Sequence, residues 1–222
     1  MTDQNKGAVA GRLPGSIGVR PATSARTAAS PSPALLEQLH HYRYPVRRRL
    51  QCCFFWTSNA LKNNAPAYVA AANARLDEHN LVLDICPGVE KTAAHTVTFN
   101  ELVNTSHEEE LRNLVHKAHD HEGRIPVIFC RFAGALGGDS DTLGYLVRLE
   151  NWLPFILINA DKDSADGVTL LHEIGHASGC GHEQSAKGDL YPNFMSYPPP
   201  PRTGILRKQV IRLARSYFAR DA

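Results

Sequence analysis

Apolar and polar positions along the chain change between the spacing of strands and that of helices, and they predict a folded domain from about residue 46. The segment RRLQCCFFWTSN is predicted to be a strand followed by a polar turn. Further apolar runs predict strands at 81–86, 125–132, 143–149 and 154–160. A Gly- and Asp-rich loop is predicted between the second and third of these runs, at 133–142.

Helices are predicted between and after these strands from their caps and apolar faces. Asn64 and Pro66 form a start signal for a helix that runs to about His79. The capping-box pattern Ser106 to Glu109 predicts a second helix. The last two helices are predicted at 167–178 and 203–219. The order of these elements indicates an α/β domain.

The N-terminal 45 residues differ in composition from the rest. They are rich in Ala, Ser, Pro, Gly and Arg and poor in large apolar groups, so residues 1–45 are predicted to be a disordered tail and 46–222 the folded domain. The tail has no apolar core of a secretory signal peptide. It fits a transit peptide, a leader for export of an unfolded chain by a non-Sec route, or a plain flexible tail. We therefore expect a cytoplasmic protein or one secreted without a Sec signal.

Composition narrows the class of protein. The 222 residues carry a net charge of +2, which is too weak to indicate a nucleic-acid partner. No apolar run reaches the roughly 18 residues of a membrane span, so no stable membrane insertion is expected. The basic last helix fits a terminal helix docked by one face better than a helix lying on a membrane. Five cysteines without a CxxC pair are expected to be buried free thiols, which favours a reducing compartment.

The chemistry of the chain is concentrated in the segment HEIGHASGCGH. His172 and His176 are four residues apart, so on a helix their imidazoles share a face and can bind one zinc ion. Glu173 projects beside that ion, where it can take a proton from water bound to zinc. Gly179 can end the helix in the left-handed conformation and return His182 as the third ligand. Three protein ligands leave a fourth position for water, as in catalytic zinc sites.

This segment fills the whole pattern H-E-x-x-H-x-x-G-x-x-H and resembles the metzincin zinc metalloproteases. Met195 follows within Asn-Phe-Met-Ser-Tyr, which is similar to the Met-turn of the astacin and serralysin branches. The resemblance implies a twisted mixed sheet with a backing helix, an active-site helix and a C-terminal helix. It also implies that Tyr197 is a fifth ligand and oxyanion stabiliser, and that Pro198 and Pro199 line a substrate pocket.

The pattern and the resemblance together predict a zinc-dependent endopeptidase that hydrolyses peptide bonds with Glu173 as general base. We expect a monomer that acts on a protein or peptide substrate, which an extended strand at 143–149 or 154–160 would bind along its edge. The tail and the free thiols would suit an effector exported unfolded into another cell. The alternative is a non-catalytic, zinc-stabilised binding module. The acidic loop Gly137 to Asp141 is interpreted as a plain loop in preference to a calcium site.

Overall fold

A computed structural model describes residues 41–56, 65–85, 91–92, 115–116, 123–130, 143–148, 153–159, 167–184, 193–197 and 204–222. Three α-helices lie within these residues: α1 (Ala65–Leu76), α2 (Val168–Ala177) and α3 (Arg207–Ala214). The strands are β1 (Arg48–Trp56), β2 (Leu81–Ile85), β3 (Lys91–Thr92), β4 (Ile125–Cys130), β5 (Gly144–Val147), β6 (Phe155–Asn159), β7 (Glu183–Gln184), β8 (Ser196–Tyr197) and β9 (Ala219–Asp221).

The strands form a seven-stranded mixed sheet and a small two-stranded one. In the large sheet the order is β2-β1-β4-β6-β5, with β3 and β9 also paired to β1. Strands β1, β2, β3, β4 and β6 run parallel, whereas β5 is antiparallel to β6 and β9 is antiparallel to β1. Among the described strands β5 pairs with β6 alone, which makes it the edge of the sheet next to α2.

One face of the sheet and the three helices enclose the core. Alternate residues of β1, β4 and β6 point to this face because side chains of a strand alternate in direction. They meet apolar side chains of all three helices, and the cluster includes Leu50, Phe54, Val127, Ile156, Tyr68, Leu76, Leu170, Ile174, Val210 and Leu213. Helix α2 is therefore fixed on the sheet by buried apolar contacts rather than by its own helix propensity.

Side chains at the end of α1 join this helix to the sheet. Asn73 accepts a hydrogen bond from Leu83 N at 2.6 Å and donates to Leu83 O at 3.2 Å. A 3₁₀ turn, Asp77–His79, follows α1, and Asn80 adopts the left-handed conformation with φ 63° before β2 begins. Asparagine tolerates this conformation better than most residues, so it makes the turn at low cost.

The predicted α/β fold class, a mixed sheet packed against helices, is confirmed, whereas the role of α2 as an active-site helix stays a prediction. The C-terminal helix was predicted too long, because α3 spans only Arg207–Ala214 and the chain ends in strand β9. Ser216 lies just beyond the helix, and both its N–H and its hydroxyl donate to Leu213 O. Strand β9 then pairs with the start of β1, so the tertiary pairing overrides the helical pattern.

Residues 1–40 of the predicted tail lie outside the described residues, and the boundary at residue 45 stays a prediction. The described chain already contacts the domain before Val46. Tyr44 N donates to His79 O at 3.0 Å, and Asn80 Nδ2 donates to Tyr44 O at 2.9 Å. The Arg207 guanidinium lies 4.8 Å from the ring centroid of Tyr42.

Two other predictions fall mostly or wholly on residues that the structure does not describe. The helix after Ser106 is described only at residues 115–116, which are helical. The acidic loop Gly137 to Asp141 lies wholly outside the described residues. No helix in the described part of the chain is long and apolar enough to cross a membrane.

Candidate metal centre

Helix α2 positions two of the predicted ligands and is held against α1 at its start. Gly167 precedes the helix with φ 72°, and a Cβ added there would lie only 2.7 Å from Ala72 N. The left-handed conformation and the close approach both require glycine at this position. After the last residue of α2, Gly179 takes φ 83°, as predicted, and directs the chain back toward His182.

The three predicted histidines converge. The Nε2 atoms of His172 and His176 are 3.2 Å apart, those of His172 and His182 are 3.2 Å apart, and those of His176 and His182 are 3.0 Å apart. His172 is buried, His176 is half-buried and His182 is exposed. The site is therefore open to solvent on the side of His182 and closed on the side of the core.

Backbone carbonyls orient two of these imidazoles. His172 Nδ1 lies 2.8 Å from Phe194 O, and His176 Nδ1 lies 2.9 Å from Cys180 O. A carbonyl oxygen only accepts hydrogen bonds, so each Nδ1 carries the proton and each Nε2 of a neutral ring presents a lone pair. This is the arrangement in which a metal-binding histidine donates its other N–H to an outer partner.

The geometry of the three nitrogens fits a metal cation. Unprotonated Nε2 atoms repel one another at these distances unless a cation lies between them. Tetrahedral coordination with metal–nitrogen distances of about 2.0–2.1 Å places ligand atoms about 3.3 Å apart, close to the observed separations. Among the described residues, these histidines are the group of three or more His, Cys, Asp or Glu side chains whose ligand atoms lie close enough together to hold a metal ion.

Glu173 lies beside the histidines and is buried between α2 and the edge strand. A Cβ added at Gly144 of β5 would lie 2.9 Å from Glu173 Cγ and 3.1 Å from Glu173 Oε1. It would also lie 2.7 Å from Thr169 Cγ2. The absence of a side chain at Gly144 therefore lets the backbone of β5 approach the carboxylate directly.

The predicted Met-turn lies under α2. Met195 is buried, and a Cβ added at Gly175 would collide with Met195 Sδ and lie 2.7 Å from Phe194 Cε2. The next two residues form β8, whose parallel partner β7 follows His182 directly. In this pairing Tyr197 is opposite Gln184, so the backbone of the predicted fifth ligand lies beside the strand that follows the third histidine. Its side chain, and both Pro198 and Pro199, lie outside the described residues.

Cys180 contributes its backbone to the site. Its carbonyl orients His176, and its buried side chain carries a free thiol. Burial raises the pKa of this thiol, although Arg212 opposes the shift. A thiol must lose its proton to bind a metal, so the raised pKa disfavours Cys180 as a fourth metal ligand.

Three residues near the site were missed in the sequence. Asn193 and Gln209 exchange two hydrogen bonds of 2.9 Å, and Arg212 Nη1 donates to Gly179 O at 2.8 Å. The only sequence sign of the first contact is a glutamine at the third position after Leu206, where it can reach back to the start of a helix. Nothing in the sequence pairs it with Asn193.

Comparison with protein families and with the sequences of curated proteins gives no match. Among solved structures, the chain is similar to metalloproteinase-II from Bacteroides fragilis, with 14% identity and a TM-score of 0.48. The match covers 78% of this chain and 53% of that protein, so the chain spans about half of its length. A likeness this distant says nothing about activity or substrate.

Proposed function

We propose that the chain is a zinc endopeptidase of the metzincin type that hydrolyses peptide bonds. The observation that carries the proposal is the convergence of three histidine Nε2 atoms. On two of these rings, the Nδ1 atom donates a hydrogen bond to a backbone carbonyl. His172, His176 and His182 would hold the zinc ion. A zinc ion in such a site supplies Lewis acidity, polarising a carbonyl and lowering the pKa of water toward about 7.

Glu173 is the proposed general base. Its carboxylate lies on α2 next to His172 and is only 6% exposed, so its orientation is set by packing against β5. It would accept a proton from the attacking water and then deliver it to the leaving amine. By the metzincin resemblance, Tyr197 would donate a hydrogen bond to the oxyanion of the tetrahedral intermediate.

The proposed substrate is an extended segment of a protein or peptide. Strand β5 is the sheet edge beside Glu173, whereas β6 lies between β4 and β5, so β5 is the strand that a substrate would extend. Gly144 brings that edge into contact with the general base, which would hold a paired peptide close to Glu173. Pro198 and Pro199 are proposed, from position alone, to line the pocket after the scissile bond.

The test compares Glu173→Gln with the unchanged chain on unfolded casein, with zinc content measured in parallel. The substitution keeps size and removes the proton acceptor, so we expect cleavage to fall by about 10²–10⁴-fold with zinc retained. Glu78→Gln is a matched control, because Glu78 is an exposed glutamate next to a buried histidine of another turn. We expect this control to cleave casein normally.

Two results would point elsewhere. If zinc binds and stabilises the chain but no cleavage appears in either protein, the non-catalytic, zinc-stabilised binding module replaces the peptidase. If the chain binds no zinc, both functions fail. If instead the unchanged chain cleaves casein and Glu173→Gln does not, the substrate class can be defined by identifying the cleavage sites that each protein produces in a proteome.

We also propose that the peptidase acts in a reducing compartment, where an exported effector would meet its substrates. The support is that Cys52, Cys130 and Cys180 are buried free thiols. Fusion of residues 1–45 to a reporter tests the export part: secretion of the reporter supports it and retention contradicts it.

A further inference from the structure

Helix α3 contacts each of the segments that carry or orient the three histidines. It packs against α2 and β1, with Val210 and Leu213 in the core. Its polar side chains contact the chain around the metal centre. The contacts are Gln209 with Asn193, Arg212 with Gly179 O, and Lys208 with Glu183.

Gln209 holds the segment that orients His172. Gln209 is 1% exposed, and its Oε1 accepts hydrogen bonds from Leu206 N and from Asn193 Nδ2. Its Nε2 donates to Asn193 Oδ1, which also accepts a bond from Met195 N at 2.9 Å. The Phe194 peptide is thereby held on both sides, and its carbonyl is the one that His172 Nδ1 meets.

Arg212 holds the turn that connects the other two ligands. Its Nη1 donates to the carbonyl of Gly179 at 2.8 Å. The Cys180 carbonyl in turn orients His176, and His182 follows two residues later. One guanidinium therefore fixes the short loop on which two of the three imidazoles depend.

The third contact is weaker for a physical reason. Lys208 Nζ lies 2.5 Å from Glu183 Oε1, but 57% of the lysine side chain and 32% of the glutamate side chain are exposed. Ion pairs in contact with water contribute little, because solvent screens them and holding two flexible side chains costs entropy.

From these contacts we propose that Gln209 and Arg212 are positioning residues of the three-histidine site. They set the affinity and the geometry of the metal through the backbone carbonyls of Phe194 and Cys180. The inference rests on the metal site of the proposed function but not on peptide hydrolysis. Loss of an outer partner of a metal-binding histidine typically weakens metal binding by about 10–100-fold.

The variants are Gln209→Met, Arg212→Met, Arg212→Lys and Arg215→Met in the full chain. Methionine keeps the length of the glutamine side chain and only the aliphatic part of the arginine side chain, and in both cases it removes the hydrogen bonds. Lysine retains a donor that can reach Gly179 O. Arg215→Met is the matched control, because Arg215 follows the last residue of α3, is exposed like Arg212 and loses the same charge.

Zinc affinity is measured by competition with a chromophoric chelator, and the visible spectrum of the cobalt-substituted protein reports ligand geometry. We expect Gln209→Met and Arg212→Met each to weaken zinc binding by about 10–100-fold and to alter the cobalt spectrum. Arg212→Lys should restore most of the affinity, and Arg215→Met should match the unchanged chain. Melting of the metal-free proteins separates positioning from stability, since a purely structural role lowers the melting temperature and leaves the cobalt spectrum unchanged.

The proposal is overturned if Gln209→Met and Arg212→Met bind zinc as tightly as Arg215→Met and show its cobalt spectrum. If Gln209→Met fails to fold, the zinc affinities and cobalt spectra of Arg212→Met and Arg215→Met still test the proposal, because both residues are exposed. Absence of casein cleavage would contradict the peptidase while leaving these metal measurements valid, so the two failures are distinguishable.

Discussion

His79 at the end of the 3₁₀ turn after α1 and His172 in α2 are alike in several respects. Each is 3% exposed, and each has its Nδ1 atom 2.8 Å from a backbone carbonyl of a distant segment, Tyr42 for one and Phe194 for the other. Only His172 has the Nε2 atoms of two further histidines within 3.2 Å. Burial and an oriented ring therefore do not make a metal site, and convergence of a second and third donor does.

Removing the Nε2 atom from both His79 and His172 is the most direct test of the difference between them. Asparagine can keep a donor close to the place of Nδ1 while removing Nε2. We expect His172→Asn to lose zinc affinity by more than the ~10–100-fold of an outer-partner change, because a ligand is lost. His79→Asn should bind zinc as the unchanged chain does. Isothermal titration with zinc measures both, and equal losses would contradict the assignment of His172.

Zinc removal should lower the stability of the proteins that bind zinc and leave the stability of His172→Asn nearly unchanged. A ligand that binds only the folded state stabilises it by about 4 kcal/mol when its free concentration is a thousand times its Kd. We expect a chelator to lower the melting temperature of the unchanged chain and of His79→Asn by similar amounts. The melting temperature of His172→Asn should hardly respond. A chelator response that persists in His172→Asn would place the metal elsewhere.

A substitution in β5, beside α2, leaves all three histidines unchanged. We therefore expect it to lower catalysis without affecting zinc binding. Gly144→Ala introduces a Cβ that would meet Glu173 Cγ and Thr169 Cγ2, so it displaces the proposed general base or the edge strand. Misplacement by about 1 Å can cost about 10²-fold in rate, and we expect kcat to fall with zinc content unchanged. Casein cleavage at the normal rate by Gly144→Ala would contradict this role.

The smallest expected effect is the pH dependence of stability at His79. Burial lowers its pKa below 6.5, more than the hydrogen bond to Tyr42 raises it. Between the folded and unfolded pKa values the unfolded chain binds more protons, so the free energy of unfolding falls as the pH drops through 6.5.

Urea unfolding of the metal-free chain from pH 8 to pH 5 measures this loss of stability. We expect His79→Asn to show a flatter profile than the unchanged chain, because asparagine does not titrate. The three metal-site histidines are common to both proteins, so their contribution cancels in the difference. Identical slopes would show that His79 does not contribute.

The sequence predicted α1, α2 and the first strands closely, because apolar spacing and caps within each segment agree with the tertiary packing. It was wrong about the C-terminal helix, where the pattern up to Tyr217 was interpreted as helical. Tyr217 is instead 42% exposed, and the chain continues into β9. A strand of three residues whose partner lies far away in the chain leaves no local periodicity to detect.

The candidate site divides in the same way. The spacing of His172, Glu173 and His176 follows from helix geometry, and Gly179 reverses the chain for a local steric reason, so sequence alone determined these positions. Gly144 and the Gln209–Asn193 and Arg212–Gly179 contacts join residues that are between 16 and 33 positions apart. Only the tertiary structure decided these, because a hydrogen bond or close approach between separate segments exists only once the core has brought the segments together.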